Sequence, residues 1–292
     1  MRILLLGGSG FIGRNLLQRW RNQEILAPSS RDLNLLDFHA VQSFVRDSSP
    51  DVIVHSACRP GHRNAAPNPH VVRDNIRLVL NVVASLGPLS RLVWISTGGA
   101  YGSDNYRPMM REREAFDVPP ADDTGLSRFA VSLAVRNDPR IVELRPFSVY
   151  GPHEDWEIRF ISNAICKSLY KMSITIRRDR LFSFVHVEDL IIAIEEVIKK
   201  WPSKELLLNV CPDRPARLSD VARIVQAVTR CDLPVMIKNE GFDIEYSGSN
   251  RLLRKLYPGW RCRSLEDGVR GLALWYMEHI DLINRELLLQ DK

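Results

Sequence analysis

The chain has 292 residues, 45% of them hydrophobic, enough for one large core or two lobes that share one, and no apolar stretch is long enough to span a membrane. Its net charge of +5 suits an anionic ligand such as a nucleotide diphosphate, and no motif for nucleic-acid binding accompanies that charge. The five cysteines are scattered without disulfide or metal-ligand spacing and no targeting segment is visible, so we expect a cytoplasmic protein without a bound metal.

The first element is a strand that runs into a glycine turn and then a helix. The apolar run 2–6 ends at Gly7-Gly8-Ser9-Gly10-Phe11-Ile12-Gly13, and an amphipathic segment follows. Gly7 allows a tight turn, Gly10 lets a phosphate approach the backbone, and Gly13 lets the helix pack close to the strand. Because the N-terminus of a helix offers free N–H groups and the positive end of a dipole, the turn predicts a pyrophosphate site.

The second strand, predicted over 24–27, indicates which dinucleotide is bound. An NAD-specific site places an acidic residue near the end of this strand, to bind the ribose 2′-hydroxyl. Here the strand is followed by Ser29, Ser30 and Arg31. Hydroxyls and a guanidinium suit a 2′-phosphate, so the sequence favours NADP(H) over NAD(H). The alternative is that Arg31 stacks on adenine or faces water.

Strand and helix patterns alternate through the first two thirds of the chain. This alternation predicts an α/β fold, a Rossmann-type doubly wound parallel sheet whose strands all end at one edge, where ligands bind. The predicted strands lie at 51–57, 91–96 and 140–145, and the predicted helices at 38–47, 75–86 and 128–137.

Beyond residue 150 the alternation of strand and helix patterns becomes less regular, which indicates a smaller C-terminal α/β lobe. We predict an NADP(H)-binding domain over 1–150, with a returning segment near 181–201, and a mainly substrate-binding lobe over 151–292. The predicted elements are helices at 158–170 and 190–200, after Ser219 and from about Ser264, and strands at 173–176, 181–187, 206–210 and 235–238.

The chain resembles the extended short-chain dehydrogenase/reductase family of nucleotide-sugar epimerases, dehydratases and 4-keto reductases. Within it, 31–37 and 151–155 look most like GDP-fucose synthase and its reductase relatives, which use NADPH. The resemblance covers nearly the whole chain and implies hydride chemistry on a nucleotide-diphosphate sugar. Besides the glycine turn, the segments that resemble the family's motifs are 31–37, 54–57 with 75–76, 95–97 with 100–102, 144–152, 184–189, 209–210, and Trp260 with 264–268.

The resemblance also implies which residues contact the cofactor. In this family the glycine turn and the start of the first helix bind the pyrophosphate. Residues after the second strand meet the adenosine, and residues at the end of the fifth strand shelter the nicotinamide. The implied cofactor-binding residues are Gly7, Gly10, Phe11, Ile12, Gly13, Ser30, Arg31, Asn34, Leu35, Ala57, Asn75, Pro146 and Phe147.

The candidate catalytic residues depart from the family pattern. The family's Tyr-x-x-x-Lys is replaced by Thr124 and Arg128. A phenol next to an ammonium serves as acid or base, whereas the Thr124 hydroxyl is far too weak an acid and Arg128 keeps its proton. Asp123 is a candidate replacement, and a solvated loop carboxylate is the alternative. Thr97, four residues before Tyr101, stands where the family keeps its catalytic Ser or Thr.

The candidate substrate-binding residues, Ser148 and Arg180, depart as well. Ser148 replaces an Asn, and Phe182 stands where the family often has an Arg for the substrate's phosphate, although Arg180 lies two residues earlier. The epimerisation pair of the GDP-fucose synthase branch, a Cys and a His, maps to Gly99 and Arg159. That double epimerisation is therefore not expected.

Two functions from different classes remain open. The first is an NADP(H)-dependent 4-keto reductase, or an epimerase or dehydratase, that acts on a nucleotide-linked sugar with a non-standard acid or base. The second is a catalytically degenerate family member that binds NADP(H) and acts as a regulatory or scaffold subunit. The two are distinguished by whether a carboxyl, His or Tyr lies within hydrogen-bond reach of Thr97 and the nicotinamide.

Many family members form dimers through two helices, which here correspond to 75–86 and 128–137. We therefore expect a homodimer. The apolar residues predicted to serve it are Leu126, Phe129, Val131, Leu133 and Ala134.

Overall fold

Strands and helices alternate along most of the computed structural model, which describes residues 1–59, 68–204 and 206–289. The strands are β1 (Ile3–Leu6), β2 (Ile25–Leu26), β3 (Val52–His55), β4 (Arg91–Ile95), β5 (Ile141–Pro146), β6 (Val149–Tyr150), β7 (Thr175–Ile176), β8 (Leu181–Phe182), β9 (Val185–His186), β10 (Leu207–Val210), β11 (Ala216–Arg217) and β12 (Met236–Ile237). The helices are α1 (Phe11–Arg19), α2 (Phe38–Ser48), α3 (Val71–Ala84), α4 (Asp123–Val135), α5 (Phe160–Leu169), α6 (Val187–Lys199), α7 (Leu218–Thr229), α8 (Arg251–Leu256), α9 (Leu265–Glu278) and α10 (Arg285–Leu288).

A six-stranded parallel sheet in the order β10-β5-β4-β3-β1-β2 forms the centre of the fold. The chain adds β2 on one side of β1 and then crosses to add β3 on the other. The C-terminal ends of β1 and β3 therefore flank the point where a doubly wound sheet binds its ligand. The predicted doubly wound α/β fold is confirmed.

Alternating residues along each strand bury both faces of the sheet. Leu5 and Val54 belong to a core that also contains side chains of α1 and α6. Leu4 and Ile53 point the other way, into a core with α2, α3 and α4. Because neither face is exposed to water, these strands read as continuous apolar runs in the sequence.

The C-terminal lobe has its own core, in which α5, α7 and α9 pack together. The small strands of this lobe form two-residue pairs, β11 with β8 and β12 with β7. Across the three described stretches of the chain, no helix is both long and apolar enough to cross a membrane. The division into domains near residue 150 stays a prediction, and β10 adds residues 207–210 to the sheet of the first lobe.

Three predicted elements differ most from the structure in their bounds. Helix α4 begins five residues earlier than predicted, at Asp123, because the Asp122 carboxylate accepts the N–H of Gly125 at 2.8 Å and caps the helix. Helix α3 begins at Val71 instead of residue 75. The single strand predicted over 181–187 is divided between β8 and β9, which pair with different partners, and Val187 opens α6.

A buried carboxyl, Glu154, makes the stability of the C-terminal lobe depend on pH. It accepts a hydrogen bond from the Ser162 hydroxyl at 2.5 Å, and burial raises its pKa to about 8 from a usual value of 4.5. A raised carboxyl pKa contributes stability below the unfolded pKa that is lost as pH rises through the folded one. We expect Glu154→Gln to match the native protein near pH ~5 and to exceed its free energy of unfolding near pH ~9 by more than about 1 kcal/mol. Urea unfolding at both pH values measures this.

The exposed Glu240 provides the matched control, because Glu240→Gln removes a carboxyl that is in water in both states. Equal effects of pH on the native protein and on Glu154→Gln would contradict the prediction.

Candidate active site

The glycine turn between β1 and α1 has no room for side chains at two positions. Gly7 has a φ of +93°, and a Cβ there would lie 2.6 Å from the backbone nitrogen of Ala57. A Cβ on Gly13 would lie 2.1 Å from the carbonyl oxygen of Gly7. Helix α1 begins after Gly10 without a side-chain cap, so its first N–H groups are available to a ligand. The turn therefore has the backbone geometry that a bound phosphate requires.

The turn after β2 presents Arg31 to solvent. Nearby, the Asp32 carboxylate accepts hydrogen bonds from the backbone N–H and the hydroxyl of Ser29, at 3.0 and 2.7 Å, and these bonds lower the pKa of Asp32. The Ser29 hydroxyl also accepts the N–H of Arg31 at 3.2 Å. The acidic side chain is thus held by the turn, while Ser30 and Arg31 remain exposed to a ligand.

Two asparagines that the family resemblance assigns to the cofactor form hydrogen bonds with backbone groups in this structure. The Asn75 side chain accepts the N–H of Arg59 at 2.8 Å and donates to its carbonyl oxygen at 3.1 Å, which fixes the segment after β3. The Asn34 side chain accepts the N–H of Leu36 at 3.1 Å. Contact of either amide with the cofactor stays a prediction.

Thr97 lies directly after β4, where it caps the short 3₁₀ turn Gly98–Tyr101. Its hydroxyl accepts the N–H of Gly99 at 3.1 Å, and the side chain is half-buried. Tyr101 points away, because its hydroxyl donates to Asn209 at 2.9 Å and the Arg145 guanidinium lies over its ring. The structure thus places Thr97 at the ligand-binding edge and gives Tyr101 a structural position.

The Tyr246 hydroxyl lies close to the Thr97 side chain, and a Cβ on the adjoining Gly98 would lie 2.7 Å from that hydroxyl. The ring centroid of Tyr246 lies 4.9 Å from that of Phe147 and 4.9 Å from that of Tyr106. Sequence reasoning missed Tyr246 because it lies far along the chain, in the segment between β12 and α8. The sequence feature that could have indicated this close packing is Gly248, because a Cβ there would lie 2.4 Å from the Phe147 ring.

Phe147 itself is completely buried in this aromatic cluster. It follows Pro146, which ends β5, and its N–H donates to the carbonyl oxygen of Val210 at 3.1 Å. In this structure the ring supports Tyr246 from below. Its predicted contact with the nicotinamide stays a prediction.

Helix α4 brings the three remaining candidate catalytic residues to the same edge. Its first turn packs on the turn after Thr97, since a Cβ on Gly125 would lie 3.0 Å from the carbonyl oxygen of Gly99. Asp123 and Thr124 are exposed at the start of the helix. Both side chains face water and not an enclosed site.

Arg128, one turn further along α4, is buried, and in the described part of the chain its Nε has no hydrogen-bond partner. It faces His55 at the end of β3. Burial, and to a lesser extent the charge of Arg128, lowers the pKa of His55 to about 4, so this imidazole is neutral at neutral pH. The guanidinium is therefore a fixed positive charge with an unsatisfied donor beneath the sheet edge.

The two candidate substrate-binding residues lie on the C-terminal lobe side. The Arg180 guanidinium lies 4.4 Å above the Phe182 ring and makes a loose ion pair with Asp243 at 4.0 Å. The Arg180 side chain thus lies over Phe182, the residue that stands where the family often has an Arg. Ser148 has a φ of +31°, and its carbonyl oxygen accepts the N–H of Val185 at 3.3 Å. In residues 1–59, 68–204 and 206–289, no three His, Cys, Asp or Glu side chains are grouped to hold a metal.

A family model described as the NAD dependent epimerase/dehydratase family matches residues 3–211. The chain is 42% identical over 91 residues to GDP-L-fucose synthase of Azorhizobium caulinodans, a match that covers 29% of this chain and 28% of that protein. It is 29% identical over 228 residues to GDP-6-deoxy-D-talose 4-dehydrogenase of Aggregatibacter actinomycetemcomitans, which covers 72% of this chain and 74% of that protein. The fold is similar to that of the GDP-mannoheptose C4 reductase of Campylobacter jejuni with NADP bound, with a TM-score of 0.78, 18% identity, and coverage of 94% of this chain and 98% of that one.

Proposed function

The chain belongs to the NAD dependent epimerase/dehydratase family, and from this premise we propose that it is an enzyme that binds NADP(H) and reduces a keto group on the sugar of a nucleotide-diphosphate sugar. Epimerisation and dehydration are the related reactions of the same family. A non-standard acid replaces the missing Tyr-x-x-x-Lys pair.

The proposal that the protein binds NADP(H) rests on the buried Nε of Arg128, which has no hydrogen-bond partner among the described residues. A buried donor without a partner costs free energy, and ribose hydroxyls of a dinucleotide would satisfy it. The glycine turn supplies the N–H groups for the pyrophosphate. When bound, the reduced cofactor supplies a hydride; the chain itself binds, orients and protonates.

The loss of the usual pair favours reduction over the other reactions of the family. Oxidation of a sugar hydroxyl, with which epimerisation and dehydration begin, requires a base near neutral pH to accept the proton. Reduction of a ketone requires only a proton donor at the carbonyl oxygen. Arg128 keeps the positive charge of the missing Lys and can stabilise negative charge on the carbonyl oxygen, but it cannot accept the proton that oxidation of a hydroxyl releases, so the first requirement is not met.

Arg180 supports the choice of a diphosphate substrate. Its guanidinium is partly exposed above Phe182, with only a loose ion pair to Asp243, and a guanidinium binds phosphate oxygens in a bidentate manner. Two of the proteins that it resembles carry GDP-sugar names. We therefore propose a GDP-linked 4-keto sugar as the substrate class, with Ser148 at the sugar.

The regulatory-subunit reading has one observation in its favour, the exposure of Thr124 where the family has its phenol. Titration with NADPH and NADH, followed by GDP-linked 4-keto sugars, separates the two functions. Binding of NADPH with oxidation of the cofactor supports the enzyme. Binding of NADPH without turnover on any 4-keto sugar supports the regulatory subunit, and binding of neither cofactor contradicts both.

Preference for NADPH over NADH is expected to depend on Arg31. Arg31→Ala removes a charged donor to the 2′-phosphate, which is worth about 1.5–3 kcal/mol, or roughly 10- to 100-fold in affinity. NADH, which lacks that phosphate, should bind with unchanged affinity. Fluorescence titration of both cofactors measures the change, and Arg223→Ala, at an exposed arginine on α7, is the matched control. An equal loss for NADH would contradict the role of Arg31.

We also propose that the protein is a homodimer through α3 and α4, which pack side by side. Leu126 and Leu133 are 39% and 40% exposed on α4, whereas Phe129 and Val131 are buried within the chain. The apolar surface that α4 offers to a second subunit therefore contains fewer residues than the sequence predicts. The mass of the particle in solution tests this proposal.

A further inference from the structure

Tyr246 holds a phenol hydroxyl at Thr97, from a part of the chain outside the family's catalytic motif. Its hydroxyl lies beside the Thr97 side chain, close to Gly98, where a Cβ would lie 2.7 Å from it. A phenol is the chemical group that α4 lacks, because Thr124 stands in its place. Thr97 thus has a tyrosine partner, supplied from the segment before α8.

The position of Tyr246 is fixed by backbone and by ring contacts. Its N–H donates to the carbonyl oxygen of Leu181 at 2.9 Å, and its carbonyl oxygen accepts the N–H of Ser183 at 3.0 Å. Phe147 and Tyr106 hold the ring, each with its centroid at 4.9 Å. Side chains held on both sides lose little freedom when a ligand binds, which is what positioned proton transfer requires.

Two glycines leave the space that this arrangement occupies. A Cβ on Gly98 would lie 2.7 Å from the Tyr246 hydroxyl, and a Cβ on Gly248 would lie 2.4 Å from the Phe147 ring. Any larger residue at either position would displace the phenol or the ring beneath it. The hydroxyl therefore reaches Thr97 because the residues on both sides are small.

The groups around Tyr246 include some that oppose loss of its proton and some that favour it. The titratable and charged groups that act on it are Arg159, Arg180, Cys211 and its ring neighbour Tyr106. Burial raises its pKa to about 12, and the nearby Thr97 side chain and the two arginines act in the opposite direction. At neutral pH the phenol carries its proton, and the arginines favour the phenolate that remains after transfer.

We propose that Tyr246 is the proton donor of the reduction, in the role of the phenol that α4 lacks. This inference rests on the proposed function. The carbonyl carbon of the substrate accepts the hydride and its electron pair, the C=O π pair moves to oxygen, and that oxygen takes the proton from the Tyr246 hydroxyl. Thr97 would stabilise the phenolate until solvent returns a proton to it, and the bound reduced cofactor would supply the hydride.

A binding experiment without turnover tests this contact. The probes are GDP-mannose and its 4-deoxy analogue, titrated calorimetrically into protein saturated with NADP⁺. Because the contact is to the oxygen on C4, Tyr246→Phe should weaken GDP-mannose by about 3- to 10-fold and leave the 4-deoxy analogue unchanged. Tyr170→Phe, which removes a phenol hydroxyl in the C-terminal lobe, is the matched control and should change neither.

The turnover rates of the same variants are then compared. Tyr246→Phe should lower kcat on a GDP-4-keto sugar by about 10²- to 10⁴-fold while NADPH affinity stays the same. If Tyr246→Phe does not fold, as judged by circular dichroism, Thr97→Val removes the partner hydroxyl and should give a smaller loss of the same pattern. Equal weakening of both GDP-sugars, or no weakening of either, would overturn the inference, as would a loss of turnover in Asp123→Asn with Tyr246→Phe fully active.

These outcomes separate the inference from the proposed function. If neither GDP-sugar binds the native protein in the presence of NADP⁺, the proposed function fails first. If both bind and Tyr246→Phe binds them like the native protein, the function stands and the inference about Tyr246 is overturned.

Discussion

Replacing Gly13 with alanine is expected to weaken NADPH binding by about 5- to 150-fold. The added Cβ would lie 2.1 Å from the Gly7 carbonyl oxygen and 2.7 Å from the Gly8 Cα, and backbone atoms cannot move away as a side chain can. The turn must open to admit it, which displaces the N–H groups at the start of α1. Overpacking a rigid site costs about 1–3 kcal/mol, and each 1.4 kcal/mol is tenfold in affinity.

Fluorescence titration with NADPH measures this loss, and circular dichroism confirms that the variant is folded. The matched control is Gly271→Ala on α9, where a Cβ meets nothing within 4 Å and alanine favours the helix. Native affinity in Gly13→Ala would contradict the assignment of this turn to the pyrophosphate.

Arg145→Leu is expected to lower the free energy of unfolding by about 3–5 kcal/mol, because it leaves a buried carboxylate without its partner. Arg145 is completely buried; its guanidinium donates to Glu143 at 2.7 Å and to Ser132 at 2.9 Å. It also lies 4.7 Å from the centre of the Tyr101 ring. This network joins β5, α4 and the turn after Thr97, so its loss also loosens the edge where the substrate is expected.

Urea unfolding of three proteins isolates the buried pair. Glu143→Leu combined with Arg145→Leu removes both charges and should recover most of the stability lost in Arg145→Leu. Arg140→Leu breaks a pair of the same spacing, with Asp138 at 2.7 Å, that is partly exposed to water, and should cost only about 0–1 kcal/mol. Similar losses for Arg140→Leu and Arg145→Leu would contradict the effect assigned to burial.

The sheet could be predicted from the sequence because its signals are local. A short apolar run, a glycine turn and an amphipathic helix each show within about ten residues, and β1, β3, β4 and β5 all lie where the pattern places them. The bounds of α4 could not be predicted as readily. Asp122 follows a proline pair that is typical of a loop, and only its capping bond shows that the helix begins there.

The site was less predictable, since its contacts depend on residues distant in sequence. The apolar alternation at 181–187 suggests one strand, yet β8 and β9 pair with β11 and β6, which lie in different parts of the chain. Tyr246 reaches Thr97 only because the segment before α8 folds back between Leu181 and Ser183. Sequence reasoning therefore identified Thr97 and the missing phenol, but not the tyrosine beside it.

The most direct test of the proposed reduction is the absorbance of reduced nicotinamide after a GDP-linked 4-keto sugar is added to the native protein and NADPH. We expect the absorbance to fall in proportion to the sugar consumed, and to fall about 10²- to 10⁴-fold more slowly with Tyr246→Phe. A constant absorbance, in a sample where NADPH and the GDP-sugar are both shown to bind, would contradict it.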